Sequence, residues 1–517
     1  MEKIRLRSFD TLFESSVGAW QSNPSVMMPA MLNSALQVAK QAAIILPILI
    51  LISQLTSKGL LPDNLLLLLD PNELLALVSS PELLSLLIPT ILVALVAFTF
   101  VSIAGSGFVI SVEYGSYNLL MEKEKLQVDD VLDQFQGRWR SISWTFLLVN
   151  SLVYGPAIVI GGAIAILLLV NGPSPTIPSQ IFPLLGLLII GIVAGLFFAV
   201  FTIYAYPSVI LDRTSGLGAI SRSFQMVSRI PGQSITYLVV RIGTVIAIGI
   251  IITSTDLIGL TISTLLLVLV NFLIIPILHL TKVGIYRGAV LEADNLIDDG
   301  KEWRIIQWGI VIRSVLDKVK LGLREVRNFA LGISNIPFHL ISAVLIFAGF
   351  LWGVDVATNG LLDVILSSGY EVGRINPEFQ SIVPPFLGID ISFNNWQVSL
   401  ATAFAGLGLL PTVIGLVFNG FILGVVSQLT PNYTMFLAAI VPHGVLELPA
   451  FVLAGSVGLR LGIGVLKTIP TRRMSNQLRK DIRQSLYVVI GLAPIFLIAG
   501  LVEAILTPYI MSLYGWI

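Results

Sequence analysis

The chain has 517 residues, 55% of them hydrophobic and only 12% charged, where an ordinary soluble domain carries about 25% charged residues. Thirty basic and thirty acidic residues cancel, which removes any global electrostatic case for nucleic acid or an acidic substrate. No cysteine is present, so disulfides, thiolate metal sites and cysteine nucleophiles are excluded.

The charged start, Glu2 to Arg7, leads into a polar stretch containing Ser and Pro, unlike the short apolar core and cleavage site of a signal peptide. Insertion is therefore expected to begin at the first true span. Runs long enough to cross a bilayer, about 20 apolar residues each, lie near 37–55, 83–112, 141–170, 182–211, 235–255, 258–281, 329–353, 397–427, 435–466 and 484–513. Basic residues collect at Lys3, Arg5 and Arg7, at Lys123, Lys125, Arg138 and Arg140, at Arg213, Arg222 and Arg229, and across 282–327. The alternate loops are acidic or uncharged. By the positive-inside rule the N-terminus is cytoplasmic, and the pattern holds through eight spans.

The pattern then breaks, because the basic residues Lys467, Arg472, Arg473, Arg479, Lys480 and Arg483 follow the next apolar run and also belong inside. Segment 435–466 is accordingly expected to be a re-entrant helical hairpin turning near Glu447–Pro449, where proline removes a backbone donor. A plain tilted helix is the alternative. The expected fold is an all-α polytopic bundle of about nine spans plus that hairpin, with an extracytoplasmic C-terminus.

Segment 1–290 reads as an N-terminal multi-span domain. Segment 291–328 mixes basic residues with Trp303, Ile306, Ile310, Val315 and Leu316 and reads as an amphipathic linker on the cytoplasmic leaflet. Segment 329–517 is a second membrane domain. Its loop 354–396, with Pro384, Pro385, Phe386 and Phe393, is expected to pack as an extracytoplasmic cap.

The chemistry concentrates in the second domain. His443 and Glu447 stand four residues apart on one helix face inside an apolar run, and ionisable groups in lipid are rare unless paired and functional. Depth counting brings Asn419 and Arg460 to a similar level, so Asn419, His443, Glu447 and Arg460 are expected to form one buried polar cluster with Arg460 at its rim. Such a cluster serves either as interhelical glue or as a proton or ion path. The zinc-protease pattern, the nucleophile elbow and the phosphate loop are all absent. No catalytic residue, no metal and no cofactor is expected, and His279 and His339 read as solitary packed residues.

The tract from Pro442 to Ala450, preceded by Asn394, Asn395, Asn419, Gly420 and Gly424 and followed by Gly455, Gly458 and Arg460, resembles the stage II sporulation protein M family. The resemblance covers roughly 329–517, and His443, Gly444, Glu447 and Pro449 form its core. It implies a non-enzymatic membrane scaffold that holds envelope-remodelling enzymes in a complex. Trp20 to Pro24 and Ala219 to Phe224 only loosely resemble multi-span domains attached to membrane-anchored phosphodiesterases. The expected partners are the lipid bilayer and either further copies of the chain or envelope proteins. A proton- or ion-coupled transporter using the Asn/His/Glu group is the alternative, and an intramembrane metal hydrolase the third reading.

Overall fold

The computed structural model describes residues 8–60, 80–123, 125–171, 177–260, 262–291, 307–367, 384–430, 432–468 and 474–514. Every regular element among them is helical. In chain order the α-helices are α1 (Phe9–Ser22), α2 (Met28–Ser57), α3 (Pro81–Leu120), α4 (Val128–Asp133), α5 (Trp139–Asn171), α6 (Ile177–Phe201), α7 (Ala205–Leu211), α8 (Leu217–Arg229), α9 (Pro231–Leu257) and α10 (Ser263–Leu269). They continue as α11 (Ile275–Leu291), α12 (Trp308–Leu331), α13 (Ile336–Val356), α14 (Leu362–Ser367), α15 (Pro384–Ala405), α16 (Leu410–Leu429), α17 (Tyr433–Thr468), α18 (Asn476–Leu501) and α19 (Thr507–Leu513).

Among the described residues, ten helical segments are long and apolar enough to cross a membrane. Their exposed faces carry side chains such as Phe100, Ile158, Val159 and Val193. Hydrocarbon accepts that surface, and a helix meets its own backbone hydrogen bonds, as lipid requires. The protein is an all-α polytopic membrane protein.

The chain divides into two compact units. The first takes Met1–Pro29, Ile103–Ile246 and Leu273–Gln307. Ser8 caps α1 by accepting from the Thr11 backbone N–H, and Asn23 beyond its end accepts from Leu126 N at 2.8 Å. Asp130 pairs with Lys123 at 2.8 Å and accepts from Gln127 N, and these two bonds hold its carboxyl below the usual range. Ser223 donates to Phe201 O and accepts from Tyr204 N, while Phe224 stacks on Phe201 at 4.8 Å. The two short motifs singled out in this half thus close chain turns and fill a core. His279 is not solitary: its Nδ1 lies 2.7 Å from Glu113 Oε1, beside buried Lys282, which sits over the Tyr114 ring.

The second unit takes Ala30–Ser102, Ala247–Phe272 and Trp308–Ile517. Contacts along each helix pair give the relative directions. Helix α13 runs parallel to α16, with Gly349 against Val417 and Gly353 against Phe421. It runs antiparallel to α17, where Ser342 meets Ser456 and Phe350 meets Phe436. Helix α18 is antiparallel to α17, with Phe496 against Phe451 and Asp481 against Arg460.

Two expectations change here. Helix α17 is continuous over 36 residues and passes through both Pro442 and Pro449, so the re-entrant turn at Glu447–Pro449 does not exist. Each proline removes one backbone bond to the carbonyl four residues earlier, which a packed membrane helix tolerates. The second change accounts for the charge pattern without a hairpin. The run 397–427 is broken by a tight turn at Gly406–Gly408, where Leu409 adopts φ +56°, and the chain before the turn is a separate helix. That helix, α15, has 22 residues, or about 33 Å at 1.5 Å per residue, enough to cross.

Helices α15 and α16 fold back on one another about that turn, Thr412 Oγ1 donating to Thr402 O at 2.6 Å. Of the expected cap over 354–396, residues 384–396 therefore form the first part of α15, 354–367 form the end of α13, a π-turn and α14, and 368–383 lie outside the described residues. Its polar residues keep α15 out of the ten apolar segments, and its acid is used internally. Asp390 accepts from Thr264 N at 2.6 Å and from Thr264 Oγ1 at 3.0 Å, capping α10. With α15 counted as a crossing, α17 brings the chain back to the side on which α15 ends.

A labelling experiment separates the two topologies. In sealed vesicles, Asn432→Cys and Ser475→Cys are expected to react from opposite sides, because one crossing of α17 lies between them. Labelling of both from the same side would restore the hairpin.

The amphipathic linker is seen from Trp308 onward as α12, which packs on α18 with Gly322 against the backbone of Gly491. Trp303 and Ile306 lie outside the described residues.

Candidate functional site

Four helices of the second unit carry polar side chains to one level. Asn395 lies at the middle of α15, with Pro384 and Ala405 at its ends, and Asn419 at the middle of α16 between Leu410 and Leu429. The turn that reverses α15 into α16 places these two midpoints side by side. Helix α17 presents His443 and Glu447 there, and a π-helical turn over Val502–Leu506, between α18 and α19, presents Glu503. Pro508 lacks the N–H that would bond to Ala504 O, which accounts for the widened turn.

The groups surround a cavity of about 460 Å³. Its polar wall is Gln41, Asn394, Asn395, Thr402, Asn419, His443, Glu447 and Glu503, and its apolar wall includes Ile45, Phe418, Ile440 and Phe451. Among the described residues, neither Lys nor Arg lines it.

The polar contacts are specific. Asn395 Nδ2 donates to Glu447 Oε1 in a close contact, and Asn394 Nδ2 donates to Asn395 Oδ1 at 3.1 Å. His443 Nε2 faces Glu447 Oε2 at 3.8 Å, and His443 Nδ1 lies 3.3 Å from Thr507 Oγ1. Ligand atoms of His443, Glu447 and Glu503 all lie within 4.8 Å of one another. Asn419 donates to its own helix at Gly415 O, 2.7 Å away, leaving its carbonyl oxygen to the cavity. Thr402 Oγ1 is buried against the cavity without a hydrogen-bond partner.

Of the four residues expected to cluster, the structure brings Asn419, His443 and Glu447 together and leaves Arg460 out. Arg460 is thirteen residues beyond Glu447 on α17, about 20 Å along the axis. It belongs to a second polar group, pairing with Asp481 Oδ1 at 2.5 Å and donating to Asn335 Oδ1 at 3.0 Å and Gln484 Oε1 at 3.1 Å. The depth count had placed Arg460 on a returning hairpin arm, and a straight α17 carries it to the far end instead.

The motif glycines divide by role. Gly420 and Gly424 meet the backbone of Ile346 and Phe350, Gly455 meets Leu416 and Ser342, and Gly458 meets Thr402 and Thr412. They let helices touch. Gly444 lines the cavity, and Pro449 lies two residues beyond Glu447 within α17.

Sequence reading missed Glu503, Gln41 and Thr402. Glu503 could have been found, because it is the sole acid of the run 484–513, and the rule that flagged Glu447 applies equally to it. Gln41 and Thr402 gave no signal, since uncharged polar residues in spans are common. His339, read as solitary, bonds through Nδ1 to Ser456 Oγ at 2.8 Å.

Residues 342–508 match the family model described as stage II sporulation protein M. A curated relative, the uncharacterized protein MJ0793 of Methanocaldococcus jannaschii, is 23% identical over 177 residues, covering 34% of this chain and 95% of the relative. No solved structure matches the chain. The matched segment contains all the cavity residues except those contributed by α2.

Proposed function

We propose that the second unit is a proton- or cation-coupled solute pathway, with the cavity among α2, α13, α15, α16, α17 and the π-turn that carries Glu503 as its midpoint binding site. One observation carries the reading: two carboxylates, a histidine and three asparagines converge on a cavity at mid-span, with no Lys or Arg in its wall among the described residues. Placing acids in lipid costs several kcal/mol unless they are neutralised, and side chains that bear this cost mark solute and ion routes. An acidic wall without Lys or Arg selects cations, and Asn carbonyls can replace part of a hydration shell. Nothing in this role calls for catalysis, so the chain is read as non-enzymatic.

The charge pattern, with α15 as a crossing, supports a cytoplasmic N-terminus and an extracytoplasmic C-terminus in the cell membrane. In sealed proteoliposomes carrying an imposed proton gradient, the full chain is expected to take up cationic solute, and Glu447→Gln is expected to abolish uptake while leaving the detergent-purified protein monodisperse. Equal uptake by wild type and variant would remove the cavity from the pathway.

The family match over 342–508 favours a second reading, a membrane scaffold for envelope proteins or for further copies of the chain. Purification from native membranes in mild detergent tests it. A stoichiometric envelope partner supports the scaffold, and its loss in a His443→Ala, Glu447→Gln variant would make the cavity part of the docking architecture.

A further inference from the structure

We infer that the cavity holds a divalent transition-metal ion of the zinc or manganese type, bound by His443 Nε2 and by the carboxylates of Glu447 and Glu503; this rests on reading the cavity as a cation site.

The hydrogen bonds around His443 set its tautomer. Thr507 Oγ1 has one proton, and it donates that proton to Val502 O at 3.3 Å. When Thr507 donates to Val502 O it accepts from His443 Nδ1, also at 3.3 Å, and in that tautomer the ring proton is on Nδ1 and Nε2 carries a lone pair. That lone pair points toward Glu447 Oε2 at 3.8 Å. With Glu447 ionised, two acceptors then face each other in a buried site, a pair that a bridging proton or a metal cation would satisfy.

The spacing suits a metal. Ligands bound at about 2.0–2.2 Å in tetrahedral or octahedral geometry lie about 3.0–3.5 Å apart. His443 and Glu447 are at 3.8 Å, and the three groups fall within 4.8 Å, so small side-chain rotations close the site. Charge also balances. Two ionised carboxylates with a neutral imidazole would carry two negative charges, no Lys or Arg lines the cavity among the described residues, and a dication would bring the group to neutrality in a medium where net charge is costly.

The surrounding shell has the form that metal sites require. A ligating histidine donates its other ring N–H, here to Thr507, and a ligating carboxylate is itself hydrogen-bonded, here by Asn395. The π-turn that carries Glu503 is a feature often found at functional sites. One nitrogen and two hard oxygens without sulfur select Zn²⁺, Mn²⁺, Co²⁺ or Fe²⁺ over Cu⁺, and the imidazole disfavours Ca²⁺ and Mg²⁺.

The test uses the full chain in detergent, stripped with chelator and titrated with Zn²⁺ and Co²⁺. One equivalent of Zn²⁺ per chain is expected, and bound Co²⁺ should show the d–d absorption of a nitrogen and oxygen ligand set. Glu503→Gln keeps the side-chain shape and should lose the stoichiometric site. Thr507→Val, which releases the histidine tautomer, should weaken binding about 10–100-fold while leaving elution volume and thermal midpoint unchanged. Ser399→Ala, buried on α15 outside the cavity wall, should leave the titration as in wild type. No retained metal in wild type, or equal retention in Glu503→Gln, overturns the inference. Uptake of a metal-free solute by a protein that binds no metal overturns it while sparing the transport reading. Metal bound without any uptake supports the inference and overturns transport.

Discussion

Replacing Arg460 by methionine is expected to destabilise the protein by about 3–5 kcal/mol, the cost of stranding one member of a buried ion pair. Its guanidinium is the sole cation on Asp481 among the described contacts, and Asp481 is 6% exposed. The same group fixes Asn335 ahead of α13 and Gln484 on α18, and Gln484 Nε2 in turn donates to Glu325 on α12 at 3.1 Å. Loss of Arg460 therefore frees α17 from α18 and from the turn ahead of α13. The expected readout is a sharp fall in the thermal midpoint and in the yield of monodisperse protein. The double variant Arg460→Met, Asp481→Leu should recover most of the loss, because removing both charges also removes the desolvation cost. A single variant as stable as wild type would show that the pair is incidental.

The second large effect is expected at Gly420. Gly349 and Gly353 on α13 face Gly420 and Gly424 on α16, two small-xxx-small pairs laid side by side. A Cβ at Gly420 would run into the carbonyl oxygen of Ile346, and one at Gly424 into that of Phe350. These are backbone atoms and cannot rotate away, so Gly420→Val must part the helices. Overpacking of this kind costs about 1–3 kcal/mol where side chains can yield, and the backbone clash places this variant at the upper end. The same two helices form part of the cavity wall through Ile346, Gly415 and Asn419. Gly420→Val is thus expected to lower both stability and uptake, whereas Gly218→Ala, with open space around it, should change neither. Wild-type stability in Gly420→Val would mean that α13 and α16 do not touch in the membrane.

These two sites also indicate what could be read from the sequence. The spans declared themselves, because an unbroken apolar run has few alternatives to a membrane helix. His443 and Glu447 declared themselves for the same reason, as ionisable residues inside such a run. Helix α15 did not, since Asp390, Ser392, Asn394, Asn395 and Gln397 lower its hydropathy and each finds a partner or faces the protein interior only once the bundle is assembled. Missing that crossing forced the charge pattern into a hairpin, and the hairpin in turn placed Arg460 at the wrong end of α17. The prolines strengthened the error, because Pro442 and Pro449 signal a break in water and only a lost hydrogen bond within a packed membrane helix. Asn419 lies in the same cavity wall as His443 and Glu447, but it bonds to Gly415 O of its own helix and not to either of them. Glu503 was overlooked through inconsistent use of a sound rule, not through lack of signal.

The account stands on a polar cavity reachable by water at the centre of the second unit, and the absence of cysteine allows that to be measured directly. Single cysteines at Asn419, in the cavity wall, and at Ser399, buried outside it, would be exposed to a small hydrophilic thiol reagent in sealed vesicles. The predicted result is rapid modification of Asn419→Cys, slowed by Zn²⁺, with Ser399→Cys unreactive. Equal protection of both positions would contradict the account, because it would make the cavity a dry packing defect and the His443, Glu447 and Glu503 group no more than interhelical glue.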